Sequence, residues 1–210
     1  MKTYYPLFMD IEGKPCLVVG GGAIAEQKVL SLLDCGARVT VISPELTPAL
    51  QRLAADRLIW KPRTYASGDV DGYLLVICAT DDTLVNGHVF QEAETRNILS
   101  NVVDVPSLCR FIVPSIVRQG DLCIAVSTGG KSPTMAKEIR RSLEKQFGPE
   151  YATLLDLLGR YRPDMKERYP NDPAMRMKKW EELTESDLID LIRDGKTEEA
   201  EKRVVACISR

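Results

Sequence analysis

The sequence predicts an α/β fold, in which a Rossmann-like, doubly wound parallel sheet is followed by a small α+β domain and a C-terminal helical domain. Strand-like and helix-like segments alternate through the first half of the 210 residues, which is typical of parallel βαβ units. A glycine-rich turn joins the first strand to the first helix. After residue 149 the sequence is helical and is interrupted by prolines. We therefore predict domains at 1–113, 114–148 and 149–210.

The first domain is predicted to contain five strands and three helices. We expect the strands at 15–19, 38–42, 58–61, 73–79 and 98–103, and the helices at 23–35, 45–55 and 83–96. The fourth strand is a continuous apolar run, as expected of a strand buried on both faces of a parallel sheet. Apolar residues of the third helix recur near helical spacing. The first domain is therefore expected to form one doubly wound sheet that ends near residue 113.

The turn between the first strand and the first helix has the outline of a dinucleotide site. Gly20, Gly22 and Ala25 fit the G-x-G-x-x-A pattern, in which the first glycine allows a tight turn and the second lets the backbone approach a pyrophosphate. The phosphates would bind N–H groups at the start of the helix, around Ala23 and Ile24. A flexible turn without a ligand is the alternative interpretation.

Three more candidates for cofactor binding follow the second and fourth strands. The acid that usually lies about 20 residues after the glycine turn and binds the adenosine ribose is missing. Ser43 and Pro44 stand there instead, so we expect a ribose contact from Ser43 or from backbone, and the choice between NAD and NADP stays open. Thr80 follows the fourth strand and can approach the cofactor. For Asp81 and Asp82, capping of the next helix is the favoured interpretation.

Asp104 is the acidic candidate for catalysis. It stands directly after the fifth strand, at the carboxyl edge where open α/β sheets bind ligands. An aspartate two residues before Pro106 can also simply shape a turn. The residues alone leave both interpretations open.

A second glycine-rich turn enters a helix later in the chain. Gly129, Gly130, Lys131 and Ser132 resemble the end of a P-loop, but that motif requires glycine where this chain has Ala125. We predict that these four residues bind a substrate carboxylate, because the segment 109–145 holds seven basic and three acidic residues. An ordinary capped helix with a solvated basic face is the alternative.

Composition excludes several classes of protein. A net charge of −2 argues against nucleic-acid binding, and no run approaches the roughly 20 apolar residues of a membrane span. The first 14 residues lack the features of a signal peptide, so we expect a cytoplasmic protein. The six cysteines include no C-x-x-C pair, and four of them lie in apolar runs or on helical faces, which favours buried free thiols over a zinc site or a disulfide framework. His88 has no second histidine to help it hold a metal, so we predict no metal site.

The second predicted domain is too small to form a core alone. It contains short β-rich segments at 115–118 and 122–127 and one helix, which Ser132 is expected to cap and Pro133 to begin. We predict that pairing with a second subunit completes this core, so that 114–148 is a dimerisation domain. The C-terminal segment is expected to have a capping box at 184–187 and a further helix from Thr197, and nothing in it indicates chemistry.

Seven segments carry a family resemblance in unbroken order. They are YPLF at 5–8, VVGGG at 18–22 with Ala25 and Lys28, GARVTV at 36–41, ATDD at 79–82 with Val85 and Asn86, NVVDVP at 101–106, FIVP at 111–114 and STGGKSP at 127–133. In this order they resemble the precorrin-2 dehydrogenase family, the N-terminal module of siroheme synthases. The resemblance covers residues 4 to about 147 and is far more specific than the glycine pattern alone.

This resemblance implies an enzyme that oxidises precorrin-2 to sirohydrochlorin, with NAD as the hydride acceptor and with Asp104 as the base for the accompanying proton. It also implies a homodimer, and the positive segment suits the carboxylates of precorrin-2. Some members of the family insert ferrous iron into sirohydrochlorin, and whether this chain does so is left open. The alternative from another class is a redox sensor or scaffold that binds a nucleotide without turnover. Ala125 weakens a third interpretation, a P-loop kinase.

Overall fold

A computed structural model describes residues 3–209 and divides the chain into two compact units, one up to Val113 and the other from Pro114. The hairpin and the helices after Pro114 belong to the same unit. The further boundary at 148/149, and with it the three-part division, stays a prediction.

The first unit contains the expected parallel sheet. Its strands are β1 (Pro15–Val19), β2 (Arg38–Ile42), β3 (Leu58–Lys61), β4 (Leu75–Cys78) and β5 (Leu99–Val102). They lie in the order β3-β2-β1-β4-β5, and every neighbouring pair is parallel. The strand order reverses between β1 and β4, and this switch point is where doubly wound sheets bind nucleotides at the carboxyl edge. The predicted Rossmann-like fold class is confirmed.

Three helices connect these strands, and one of them begins later than predicted. They are α1 (Ala23–Asp34), α2 (Pro48–Leu53) and α3 (Thr83–Thr95). The prediction that α2 begins at residue 45 was wrong, because Thr47 is its cap: its hydroxyl accepts a hydrogen bond from Leu50 N, and Pro48 takes the first helical position.

Both faces of the sheet are buried by helices. On one face, Cys16 and Val18 of β1 belong to the same packed cluster as Val29 of α1. On the other, Leu17 packs in a cluster with Val89 of α3. These five side chains are fully buried. Consecutive residues of β1 therefore enter opposite cores, which is why the strand is apolar throughout.

The outer side of β5 is closed by the chain that follows it. Asn101 is buried, and its Nδ2 donates a hydrogen bond to Phe111 O over 2.8 Å. The backbone N–H of Arg110 donates to Ser100 O, also over 2.8 Å. These bonds satisfy polar groups of the edge strand that would otherwise be exposed.

A buried carboxylate fastens the connection between β3 and β4 to α3. Glu92 accepts hydrogen bonds from the hydroxyls of Tyr65 and Ser67 and from the backbone N–H of Gly68. Burial alone would raise the pKa of Glu92. The hydrogen bonds and the nearby charge of Arg96 outweigh burial and lower the pKa below its ordinary value of 4.5.

We expect Glu92→Gln to lower the free energy of unfolding at pH 7 by about 1 to 3 kcal/mol, because the amide leaves part of a buried donor set without an acceptor. The pKa of Glu92 is lower in the folded than in the unfolded chain. Ionisation of Glu92 therefore stabilises the fold fully above the ordinary pKa of 4.5, and this contribution is lost as the pH falls through the folded-state pKa. Urea unfolding of both proteins should show a smaller difference at pH 4 than at pH 7. An equal difference at both pH values would contradict this role.

The second unit begins with an antiparallel hairpin and continues in helices. The hairpin pairs β6 (Ser115–Gln119) with β7 (Leu122–Val126). The helices are α4 (Pro133–Gln146), α5 (Glu150–Arg160), α6 (Arg162–Arg168), α7 (Pro173–Thr184), α8 (Leu188–Arg193) and α9 (Thr197–Ser209). A cluster that includes Leu157, Met165 and Leu183 forms the core of the last five. Among residues 3–209, no helix combines the length and the apolar character that a bilayer crossing requires.

Two predictions about helix ends in this unit had different outcomes. The start of α4 is confirmed, because the Ser132 hydroxyl accepts a hydrogen bond from Met135 N and Pro133 is the first helical residue. The prediction of a capping box at 184–187 was wrong. Thr184 ends α7, and its hydroxyl donates to Trp180 O within that helix. Because the Thr184 hydroxyl already has a hydrogen-bond partner inside α7, it is not available to cap the next helix.

Candidate functional site

The glycine turn lies at the carboxyl end of β1 and can be formed only by glycine at its first position. Gly20 has a φ of +117°, and a Cβ there would lie 2.3 Å from the backbone oxygen of Ala79. The backbone of the turn therefore packs directly on the end of β4. Gly21 is equally constrained, because its Cβ would lie 2.0 Å from Glu45 O. The sequence pattern treats Gly21 as a free position, so this requirement was missed.

Gly22 differs from both, because a Cβ there would have no atom within 4 Å. It is the N-cap of α1, and no side chain caps the helix. Ala23 and Ile24 are exposed in the first turn, whereas Ala25 is buried against the sheet. The positive end of the helix dipole thus faces open space, which is an arrangement suited to a phosphate.

Ser43 and Pro44 lie beside this turn at the end of β2. Ser43 is buried, and its Oγ would be 2.7 Å from a Cβ placed on Gly21. Its carbonyl accepts a hydrogen bond from Trp60 Nε1 over 2.9 Å, and Pro44 is exposed. The structure therefore brings these two residues together with the glycine turn, as their predicted role requires.

Thr80 follows β4 at the same edge, next to the backbone oxygen that Gly20 approaches. Its hydroxyl is hydrogen-bonded to the side chain of Asn86, which lies in the first turn of α3 and is buried. Sequence reasoning placed Asn86 among the family-like residues but gave it no role, although a polar residue on the buried face of an apolar helix is a signal for one. The helix cap is Asp82, whose carboxylate accepts from Leu84 N and Val85 N, and Asp81 makes no such bond.

Asp104 lies two residues beyond Val102, the last residue of β5. The N–H of Val103 donates to Cys78 O over 2.9 Å, which places Asp104 beside the end of β4. Asp104 is exposed and has a φ of +60°, in the left-handed region that non-glycine residues adopt at a cost. Backbone strain of this kind concentrates at functional sites. The edge of the sheet therefore holds the glycine turn, Ser43, Thr80 and Asp104 at neighbouring strand ends.

The second glycine turn lies in the second unit, before α4. Gly129 and Gly130 have φ values of +62° and +81°, and a Cβ on either would meet nothing within 4 Å. The Thr128 hydroxyl accepts from Ser132 N over 3.2 Å and closes the turn. Lys131 is exposed. The turn is open to solvent and carries one cation, and a substrate contact here stays a prediction.

His88 packs against an aromatic ring in the first unit. Its ring forms an edge-to-face contact with Tyr65, with centroids 5.8 Å apart, and its Nε2 lies 3.8 Å from Glu92 Oε1. Within residues 3–209, no group of three or more histidine, cysteine, aspartate or glutamate side chains could hold a metal ion. The cysteines are free thiols; Cys35 is exposed and Cys123 is half-buried, so the expectation of burial was wrong for these two.

Three family models match consecutive parts of the chain. Residues 7–115, slightly more than half of the sequence, match the model described as putative NAD(P)-binding. Residues 119–146 match the central region of sirohaem biosynthesis proteins, and residues 150–206 match the sirohaem synthase dimerisation region.

Relatives and a solved structure extend this likeness along the whole chain. The siroheme synthase of Methylobacillus flagellatus is 42% identical over 196 residues, which cover 93% of this chain and 42% of that protein. The siroheme synthase of Thioalkalivibrio sulfidiphilus is 42% identical over 198 residues, covering 94% of this chain and 40% of that protein. This chain thus spans about two fifths of the length of these curated relatives.

The solved structure of SirC, a precorrin-2 dehydrogenase, matches with a TM-score of 0.78 at 24% identity, over 97% of this chain and 100% of SirC. At this identity the likeness shows a shared fold. The chain therefore belongs to the putative NAD(P)-binding family, and it is similar to siroheme synthases over about two fifths of their length.

Proposed function

We propose that this protein is an NAD-dependent dehydrogenase that oxidises precorrin-2 to sirohydrochlorin in siroheme biosynthesis. One observation carries the proposal: Asp104 is held in the left-handed region at the edge of the sheet where the glycine turn also lies. A nucleotide-binding turn beside an acid–base group is the combination that a dehydrogenase requires. The names of the relatives and of SirC supply the substrate class.

The residues at this edge fit a dinucleotide. The open space at Gly22 accommodates a pyrophosphate, within reach of the N–H groups of Ala23 and Ile24. Ser43 and Pro44 supply the ribose contact. The stretch 43–46 contains no cation to pair with a 2′-phosphate, which supports NAD rather than NADP.

The proposed chemistry removes two hydrogen atoms from the substrate, one as a hydride and one as a proton. When bound, NAD supplies the acceptor for the hydride. The Asp104 carboxylate accepts the proton, and because this side chain is exposed it can return the proton to solvent after each turnover.

The second unit is proposed to hold the substrate's carboxylates and the dimer contact. Gly129, Gly130, Lys131 and Ser132 offer an open turn with one cation at the start of α4, which suits a carboxylate. The match to a dimerisation region supports a homodimer, which light scattering would detect as twice the chain mass. We also keep the cytoplasm as the proposed location, which cell fractionation would test.

An anaerobic incubation of the purified protein with precorrin-2 tests the proposed function. With NAD we expect NADH and sirohydrochlorin to accumulate together, and with NADP at the same concentration we expect a slower reaction. The alternative, a redox sensor or scaffold that binds the nucleotide without turnover, predicts NAD binding and neither product.

Ferrous iron insertion into sirohydrochlorin is the second proposed activity, and we expect it to be slow and to depend on Asp104. Insertion requires a base that collects two pyrrole protons, and the described residues offer no preformed metal cluster. In an assay with sirohydrochlorin and ferrous iron, Asp104→Ala should lose activity. His88→Ala should keep it, because that ring is engaged in packing. Activity lost only in His88→Ala would overturn this assignment.

A further inference from the structure

A buried amide holds the end of β4 in place. Asn86 is 7% exposed, and its Nδ2 donates a hydrogen bond to Thr80 O over 3.0 Å. Its Oδ1 accepts from the Thr80 hydroxyl over 2.7 Å and from Cys78 Sγ over 2.9 Å. One side chain thus satisfies the backbone and the side chain of Thr80 at the same time.

The glycine turn packs on the peptide directly before the one that Asn86 holds, because Asn86 bonds the carbonyl of Thr80 and Gly20 meets the Ala79–Thr80 peptide. A Cβ on Gly20 would lie 2.3 Å from Ala79 O and 3.4 Å from Thr80 N. A movement of the Ala79–Thr80 peptide toward β1 would therefore displace the turn at Gly20. The strand order reverses between β1 and β4, so this contact lies at the switch point of the sheet.

We propose that Asn86 is a positioning residue for the nucleotide: its amide fixes the Ala79–Thr80 edge against the glycine turn and so sets where Thr80 meets the bound cofactor. This inference deepens the proposed function and rests on it. Asn86 acts through Thr80, because its side chain is buried and its hydrogen bonds go to Thr80 and Cys78.

The position requires a group that donates and accepts at once. Burial raises the pKa of the Cys78 thiol to about 12, so at neutral pH the thiol keeps its proton and donates it to Asn86 Oδ1. The carbonyl of Thr80 needs a donor on the other atom of the same side chain. An amide meets both demands, and so does a protonated carboxyl, whereas a carboxylate can only accept.

In Asn86→Asp, the presence of a donor for Thr80 O depends on pH, and we expect the Kd for NAD to depend on pH as well. At pH 8 the introduced carboxylate faces Thr80 O without a donor, and we expect the Kd for NAD to rise by about tenfold. Burial raises the pKa of an introduced carboxyl. Protonation of this carboxyl at a lower pH restores a donor, and the Kd should then return toward that of the wild type. Asn86→Ala should bind NAD weakly at both pH values, because it can regain neither bond.

Two controls isolate the effect. Wild-type protein at the same pH values corrects for Cys78, whose thiol donates to Asn86, and for the Asp82 carboxylate, which caps the helix that carries Asn86. Asn101→Asp is the matched variant, because Asn101 is 8% exposed and its Nδ2 also donates to a backbone carbonyl. Its Kd for NAD should stay within about threefold of the wild type at pH 8, and thermal unfolding of every variant shows whether the fold is kept.

The outcomes separate this inference from the proposed function. Failure of the wild type to bind NAD would contradict both the proposed function and this inference. Wild-type binding with an Asn86→Asp Kd that is unchanged at pH 8, or that is raised at pH 8 and does not recover at any lower pH at which the variant stays folded, would overturn the inference alone. The same loss and recovery in Asn101→Asp would also overturn it, because the effect would then follow from any buried carboxylate.

Discussion

Replacement of Asp104 by asparagine is expected to lower turnover by about 100- to 10,000-fold while the Kd for NAD stays unchanged, because the amide keeps the size of the side chain and removes the base. Asparagine also tolerates the left-handed region that Asp104 occupies at a φ of +60°, so the turn should keep its shape. Steady-state kinetics with precorrin-2 and calorimetric titration with NAD measure the two effects separately.

Asp81→Asn is the matched control for this experiment. Asp81 is an exposed aspartate at the same edge of the sheet, and the helix that follows is capped by Asp82. Turnover should stay near the wild-type value in Asp81→Asn. Wild-type turnover in Asp104→Asn would instead show that Asp104 only shapes the turn after β5.

Substitution of Gly22 by aspartate is expected to weaken NAD binding by at least about 100-fold, because a carboxylate would occupy the space that the pyrophosphate needs. The fold should survive. Gly22 has a φ of −81°, no atom lies within 4 Å of an added Cβ, and aspartate is a favoured N-cap. Thermal unfolding should therefore show a stability equal to or above that of the wild type.

Gly22→Asn separates charge from size at this position. The two side chains have nearly the same volume, and asparagine carries no charge to repel a phosphate. Gly22→Asn should lose less affinity than Gly22→Asp, and high salt should narrow the difference. Unchanged affinity for NAD in a folded Gly22→Asp protein would contradict the placement of the pyrophosphate.

The features that the sequence predicted well are those set by local patterns. The turn after β1 requires glycine at position 20, because its φ is one that other residues rarely adopt. The start of α4 is set by two consecutive residues, Ser132 as the cap and Pro133 as the first helical residue. The parallel order of the strands follows from helices that alternate with apolar strands. These signals need no knowledge of distant contacts.

The features that the sequence did not predict depend on residues that meet only in the folded chain. Gly21 is required because Glu45 O lies 2.0 Å from the position of its Cβ, 24 residues away in the sequence. The role proposed for Asn86 depends on the end of β4, where its side chain bonds Cys78 and Thr80 and where Gly20 packs on Ala79. Thr184 is a local exception, because a threonine at a helix end can bond either helix, and its hydroxyl donates to Trp180 O in the preceding one.

The central claim is that this chain couples the oxidation of precorrin-2 to the reduction of NAD. The most direct test is the ratio of NADH to sirohydrochlorin formed by the wild-type protein under anaerobic conditions, where oxygen cannot oxidise the substrate. Removal of one hydride and one proton predicts one NADH for each sirohydrochlorin, with both formed at the same rate. Sirohydrochlorin without NADH, or neither product from a protein that binds NAD, would contradict the account.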